Sequence, residues 1–350
     1  MESPDQLDNT NNLDTQLNNE ATPLALPEKP TDLMQFASIE DANADFIASL
    51  TSSIPIYVAG TLRVIFPNKG LEKECEAAAQ EISAQKKDSV APYDYGRIFG
   101  YKDCANKQAN GACQNNGVCQ CPKPYRYLAE QVNWILSVDD QDAYLLEPNS
   151  IVELNEFIFF LKQVKKSSDL LCVIAGEKIG NKTTTSNDPT SLPTVRCKHI
   201  FEFDMKPEVI KNKLIECGNN TTTEAIQNLI KLLDTKNNFG ITDFERAKNF
   251  LAFRYPTIYK TRASEYQTKA SGHSSKDPYS TADDNDASGF LLSIETKYSD
   301  SADGHKIVDV IFHYQRSISG RLYSYYASVD VSHIFPYLHS PLTNYVSLTN

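Results

Sequence analysis

"KIVDVIFHYQRSISGRLYSYYASVDV", residues 306–331, alternates apolar and polar side chains on either side of "QRSISGR". That is the pattern of two half-buried antiparallel strands joined by a polar connection. Upstream, "FLLSIETKY" (290–298) alternates in the same way. The reading is a three-strand antiparallel meander with one face on a core and one toward water. Between 240 and 260, "DFERAKNFLAFRYPTIY" follows Thr242, with Glu245 three residues on, so a capping box opens a helix that Pro256 should end near Tyr255. Thr221 and Glu224 repeat that spacing, and Ser150 with Glu153 opens "IVELNEFIFFLKQVKK". These helices and the meander predict an α+β fold, with an antiparallel sheet formed largely by the C-terminal strands and helices packed against it.

Nearer the N-terminus, "IPIYVAGTLRVIF" (54–66) is β-branched and apolar enough for a strand, and "GLEKECEAAAQEIS" places Leu71, Cys75, Ala78 and Ile82 at helical spacing. "RYLAEQVNWILSVDDQDAYLLEP" reads as a short helix and a hairpin turning at Asp139, Asp140 and Gln141. "DLLCVIAGE" and "HIFEFDM" read as strands separated by a polar loop, "NKTTTSNDPTSLP". Cys75 and Cys172 fall at core positions.

The 350 residues are 41% hydrophobic, with a mean hydropathy of −0.42, as expected for a globular chain with generous loops. Residues 1–50 carry ten acidic side chains against Lys29 alone, so that segment supplies −9 of the net −11. The remainder is nearly neutral and shows no basic stripe, which argues against nucleic acid as a partner. Residues 1–35, rich in Asn, Asp, Gln and Thr, read as a disordered acidic tail; 36–350 read as the folded domain, with a short helix near 38–52 and a mobile polar loop at 267–288. No segment reaches the roughly 18–20 apolar residues of a membrane span, and the N-terminus lacks a secretory h-region. The expectation is a cytoplasmic protein away from membranes.

The candidate chemistry lies in two places. Cys104, Cys113, Cys119 and Cys121 cluster in a segment, 101–122, that reads as an insertion. A three-residue turn ending at Gly117 would bring Cys113, Cys119 and Cys121 to one face. Their spacing lacks the knuckle of common zinc modules, so structural zinc, a disulfide and free thiols all remain open. Elsewhere Cys197 lies two residues from His199, and His273, His305, His313, His333 and His339 show no helical metal-binding pair. The aromatic excess, 18 Tyr and 16 Phe, concentrates near the last strands, where a solvent-facing row at Tyr323 and Tyr325 or their neighbours would make a docking surface for a partner or a second copy. Nucleophile-elbow, phosphate-loop and dinucleotide motifs are absent.

Four stretches in order, "IPIYVAGTLRVIFPNKGLEKECEAAA", "PYRYLAEQVNWILSVDDQDAYLLEP", "AKNFLAFRYPTIY" and "KIVDVIFHYQRS…YASVDVSHIFPYL", resemble the C-terminal domain of PatG-type cyanobactin maturation proteases over about residues 54–345. In that family the domain follows a subtilisin-like protease and its own role is not established. The Asp-Thr-Gly, His-Gly-Thr and Gly-Thr-Ser-Met surroundings of a subtilisin triad are missing here, so proteolysis and macrocyclisation are not carried over. The resemblance implies a non-catalytic accessory or scaffolding protein of ribosomal peptide maturation, acting through association with maturation enzymes, precursor peptide or itself. A zinc-binding protein or metal-dependent enzyme using the four cysteines, and a structural domain unrelated to peptide maturation, are the alternatives.

Overall fold

The structure, a computed structural model, describes residues 54–86, 89–103, 121–164, 169–184, 191–217, 221–260, 289–300, 304–316 and 320–345. The acidic tail, the helix expected near 38–52, Cys104, Cys113, Cys119 and the polar stretch 267–288 lie outside the described residues.

Strand β1 (Ile54–Ile65) is followed by helices α1 (Lys69–Lys86), α2 (Tyr95–Phe99) and α3 (Arg126–Gln131). Then come β2 (Asn133–Val138), β3 (Gln141–Pro148), α4 (Ile151–Val164), β4 (Leu170–Thr183) and β5 (Ser191–Asp204). These five strands close into a barrel in the order β1-β2-β3-β5-β4. β1 closes it by changing partner midway: Ile54 to Gly60 pair with β4, and Thr61 to Ile65 with β2. Strands in a small barrel are tilted and staggered, so a long strand must hand over from one neighbour to the next. Gly60 sits at the handover, where a Cβ would come within 2.3 Å of the Ser137 carbonyl oxygen.

Both faces of β1 are buried from Ile56 to Gly60, which is why that half reads as an apolar run and not as an alternation. Ile56 and Val58 join a core with Trp134, Leu136 and Ile174 that α1 to α4 cover. Trp134 packs on Phe157 with ring centroids 5.2 Å apart and donates its Nε1–H to the Ala129 carbonyl at 3.0 Å. Tyr57, Ala59, Val173 and Ala175 point the other way, into a second core built with helices α5 (Pro207–Glu216), α6 (Thr223–Leu233) and α7 (Asp243–Arg254). Those helices are covered in turn by Val308, Val310, Phe312, Ala327 and Val329 of a second sheet, with strands β6 (Gly289–Tyr298), β7 (Ile307–Arg316), β8 (Leu322–Asp330) and β9 (Tyr337–Tyr345). The helices are thus the filling between the barrel wall and the C-terminal sheet.

The α+β expectation holds, with two additions. The meander has a fourth strand, β9, whose "YLHSPLTNY" hides it behind a proline and scattered polar residues, as an edge position tolerates. Beside that C-terminal sheet, the N-terminal half builds another sheet, the barrel. The two ends of "NKTTTSNDPTSLP" are strand, since β4 runs on to Thr183 and β5 starts at Ser191, with Thr183 paired to Ser191; residues 185–190 lie outside the described residues.

Helix boundaries follow local chemistry. Thr242 and Glu245 form the full capping box of α7, and the helix stops at Arg254 ahead of Pro256. At α6 the cap is Thr222, whose hydroxyl accepts the Ala225 N–H, one residue after the expected Thr221. Two devices pin α7 in place. Asn249 donates to the Tyr57 carbonyl at 2.9 Å, beside Gly240, whose carbonyl accepts the Tyr57 N–H at 3.1 Å. Gly240 has φ of +67° and a Cβ there would lie 2.1 Å from the Tyr57 oxygen, so only glycine fits. Arg246, fully buried, donates to the carbonyls of Val331 at 2.8 Å and of His333, holding the β8–β9 connection.

Candidate functional site

Where the barrel meets α5 and α6, a cavity of about 750 Å³ is lined by Asp169, Lys206, Glu208, Lys231, Asp234 and Thr235, among others. A smaller one of about 200 Å³ adjoins it and shares Asp169, Met205, Thr235 and Lys236, extending the groove to the Asp139–Asp140 turn. Its apolar floor is Ala59, Leu171, Met205 and Ile230.

Three acids on this groove have left-handed backbones: Asp139 (φ +49°) and Asp140 (φ +59°) form the two-residue β2–β3 turn, and Asp234 (φ +53°) caps the C-terminus of α6. Among the described residues no other non-glycine side chain adopts that region. Glycine is the usual residue at both kinds of position, because a Cβ there is strained. Thr235, 2% exposed, lines both cavities, and its Oγ1 has no hydrogen-bond partner among the described residues. Asp169 pairs with Lys206 at 3.6 Å and Asn237 donates to Asp234 at 3.0 Å, whereas Asp139, Asp140, Lys231 and Lys236 have no ion-pair partner among the described residues.

The groove is therefore zwitterionic, with acids and lysines mixed along it: Asp139, Asp140, Asp169 and Lys236 toward the hairpin, Lys206, Glu208, Lys231 and Asp234 along α5 and α6. Its lining offers no histidine or cysteine.

The most catalysis-like arrangement lies elsewhere, on the face of the C-terminal sheet turned away from the helices. Ser324 Oγ stands 2.8 Å from His313 Nδ1, and His313 Nε2 stands 3.2 Å from Glu295 Oε2. The three residues sit on β8, β7 and β6. Ser324 is mid-strand, paired with His313 on one side and Tyr345 on the other, so the ladders on both sides take up the surrounding amides that could stabilise an oxyanion. It is a cross-strand polar ladder, continued by Ser328 donating to Asp309 at 2.6 Å and Lys297 donating to the Tyr345 hydroxyl at 3.3 Å. At the end of β8, Asp330 is held by the Tyr337 hydroxyl, the Ser332 N–H and His305. Burial alone would raise its carboxyl; those hydrogen bonds win and bring it down to about 2.

The residues singled out from sequence are placed as follows. Tyr323 and Tyr325 pair with Tyr314 and Phe312, which puts them on the helix-facing side of the sheet. They are half-buried and pack on Tyr314, with Tyr323 stacked on it at 5.4 Å. The outward tyrosine is their neighbour Tyr326, whose ring meets Tyr345 at 5.8 Å. Cys121 is disulfide-bonded, and the other three cysteines of the cluster lie outside the described residues. Cys75 and Cys172 are core residues, and burial pushes both thiols up. Cys197 is fully buried, and His199 contacts Arg254 at 3.1 Å. No group of three His, Cys, Asp or Glu among the described residues is arranged for a metal, and no described helix is long and apolar enough to cross a membrane.

Residues 55–242, the barrel with α5 and α6, match the family described as PatG Domain, and residues 217–345, from α6 through the C-terminal sheet, match PatG C-terminal. The chain belongs to the PatG domain family. The two PatG matches overlap on α6 and the Asn238–Gly240 turn, the region that forms the groove wall and pins α7 to the barrel. A solved structure entitled PatG Domain of Unknown Function shares the fold, with a TM-score of 0.52, 15% identity, 84% of this chain covered and 99% of that one. No curated protein matches. The groove was invisible in the sequence beyond one hint, an Asp-Asp pair where a tight hairpin turn favours Asn-Gly.

Proposed function

We propose that this PatG-family chain is a non-catalytic accessory protein of cyanobactin-like ribosomal peptide maturation, acting by holding a peptide or protein partner. The observation that carries the reading is the zwitterionic groove with the unpaired Thr235 hydroxyl on its wall. An extended peptide supplies main-chain groups for Thr235, cationic side chains for Asp139 and Asp140, and carboxylates for Lys231 and Lys236. Family membership supports the pathway; the PatG name links it to cyanobactins.

The test is fluorescence anisotropy of a labelled synthetic cyanobactin precursor peptide titrated with the full chain. Saturable binding is expected, weakened about tenfold by paired Asp139→Asn and Asp140→Asn or by paired Lys231→Glu and Lys236→Glu, each pair removing about 1–2 kcal/mol. Cleavage or other turnover of the peptide by the chain alone overturns the non-catalytic reading. Binding indifferent to both pairs removes the groove from it.

A further inference from the structure

The C-terminal sheet has two outer strands, and they are guarded differently. β9 carries Pro341, which removes a main-chain donor, and its side chains are mostly polar. β6 has no proline, and along it Phe290, Leu292 and Tyr298 are each more than 40% exposed. Among the described residues no strand pairs with its outer edge.

The direction of each β6 amide can be worked out. The Ser299 N–H donates to the Ile307 carbonyl at 2.9 Å, so it points into the sheet. Antiparallel strands alternate, and the register with β7 is unbroken from Ser293 to Tyr298. Lys297 and Glu295 therefore also point their amides at β7, and Ile294, Thr296 and Tyr298 present theirs to the open edge. Near the start of the strand the edge is already occupied, since Asn228 of α6 donates to the Leu291 carbonyl at 2.8 Å. The open stretch is Ser293 to Tyr298.

From this we infer that β6 pairs antiparallel with β6 of a second copy of the chain, around a two-fold axis at Thr296, joining two four-stranded sheets into one. Amide direction and charge select the register together. Only registers that set Ile294, Thr296 and Tyr298 against one another bring open amides face to face. Centring on Thr296 does so, and it places Glu295 directly opposite the second copy's Lys297, and Lys297 opposite its Glu295. These are non-hydrogen-bonded positions, where side chains approach most closely. Shifting the axis by one residue either way sets Glu295 against Glu295 or Lys297 against Lys297. Thr296 meets Thr296 on the axis, and Ile294 meets the exposed Tyr298 on each side of it. The contact is isologous and closed, so it yields a dimer and not a fibre. Glu295 and Lys297 also reach His313 and Tyr345 of their own sheet, which holds both side chains on the correct face.

This concerns association of the chain with itself and does not depend on the peptide groove. Sedimentation velocity of the full chain over a wide micromolar range tests it. The expected result is a monomer–dimer equilibrium. Glu295→Lys and Lys297→Glu, each creating two like-charge contacts, are expected to weaken it about tenfold. The double variant, Glu295→Lys with Lys297→Glu, restores the opposed charges and the dimer. Thr296→Pro, which removes the axial donors, abolishes it, with circular dichroism confirming that the variant is folded. A chain that stays monomeric throughout, single reversals that leave the dimer unchanged, or a double swap that fails to rescue it overturns the proposal, while the peptide titration stands separately.

Discussion

Every strand of the barrel has a neighbour on both sides, whereas the C-terminal sheet ends on β6 and β9 with their outer edges unpaired among the described residues. The two halves are also stabilised differently. The barrel encloses a core dominated by Trp134, Phe157, Phe99 and aliphatic side chains. The sheet shares its apolar core with the α5–α7 layer, while its outer face and one end are laced with hydrogen bonds around Asp309, His313 and Asp330. The difference teaches that the barrel is self-sufficient in backbone pairing, and that the sheet depends on polar ties, chief among them Arg246.

The comparison is broken most directly at Arg246. Arg246→Leu leaves the Val331 and His333 carbonyls without their donor, and is expected to destabilise the fold by about 3 kcal/mol. Chemical denaturation measures the loss, and hydrogen exchange should show it concentrated in β7 to β9 with the barrel amides still protected. Uniform loss of protection across both halves would show that the sheet is not the separately held part.

A second, smaller effect is pH-dependent. Asp330 titrates near 2 in the folded chain, below the ordinary 3.8, so its contribution is fully present above pH about 4 and fades as pH falls toward 2. The shift corresponds to about 2 kcal/mol. Asp330→Asn should therefore lower stability at pH 7 and converge with the parent near pH 2. Parallel stability–pH curves for the two proteins would count against the assignment.

The smallest effect has the opposite sign and belongs to the barrel. Asp140→Gly relieves a left-handed non-glycine residue in the β2–β3 turn and should raise stability by about 0.5–1 kcal/mol, read as a higher Tm. If the acid is retained for binding, the same variant loses affinity for the precursor peptide. A gain in both would detach the strained turn from the groove's role.

Much of the local structure was legible because its causes are local. Helical spacing located Leu71, Cys75, Ala78 and Ile82 on the buried face of α1, Thr242 and Glu245 marked the start of α7, and Asp139–Asp140 marked a turn. The strands on either side of the polar stretch 181–193 run further into it than the sequence suggests, to Thr183 and from Ser191, for the converse reason: polar sequence becomes strand only when a partner lies alongside. Tyr323 and Tyr325 illustrate the limit of alternation. Period two separates the faces of a strand, yet which face meets helices depends on the register with β7 and on where α6 and α7 lie.

The candidate site was less legible still. Asp139, Asp169, Lys206, Thr235 and Lys236 span almost a hundred residues, and they meet only because the barrel closes, through the parallel β3–β5 pair and the split pairing of β1. Side-chain period, caps and turns are properties of a few neighbouring residues, so the sequence by itself determined most of the elements apart from β9, the two buried thiols and the family. Closure, the buried Arg246 and the groove depend on contacts between residues far apart in the chain, whose register is set by packing, and these only the tertiary structure decided.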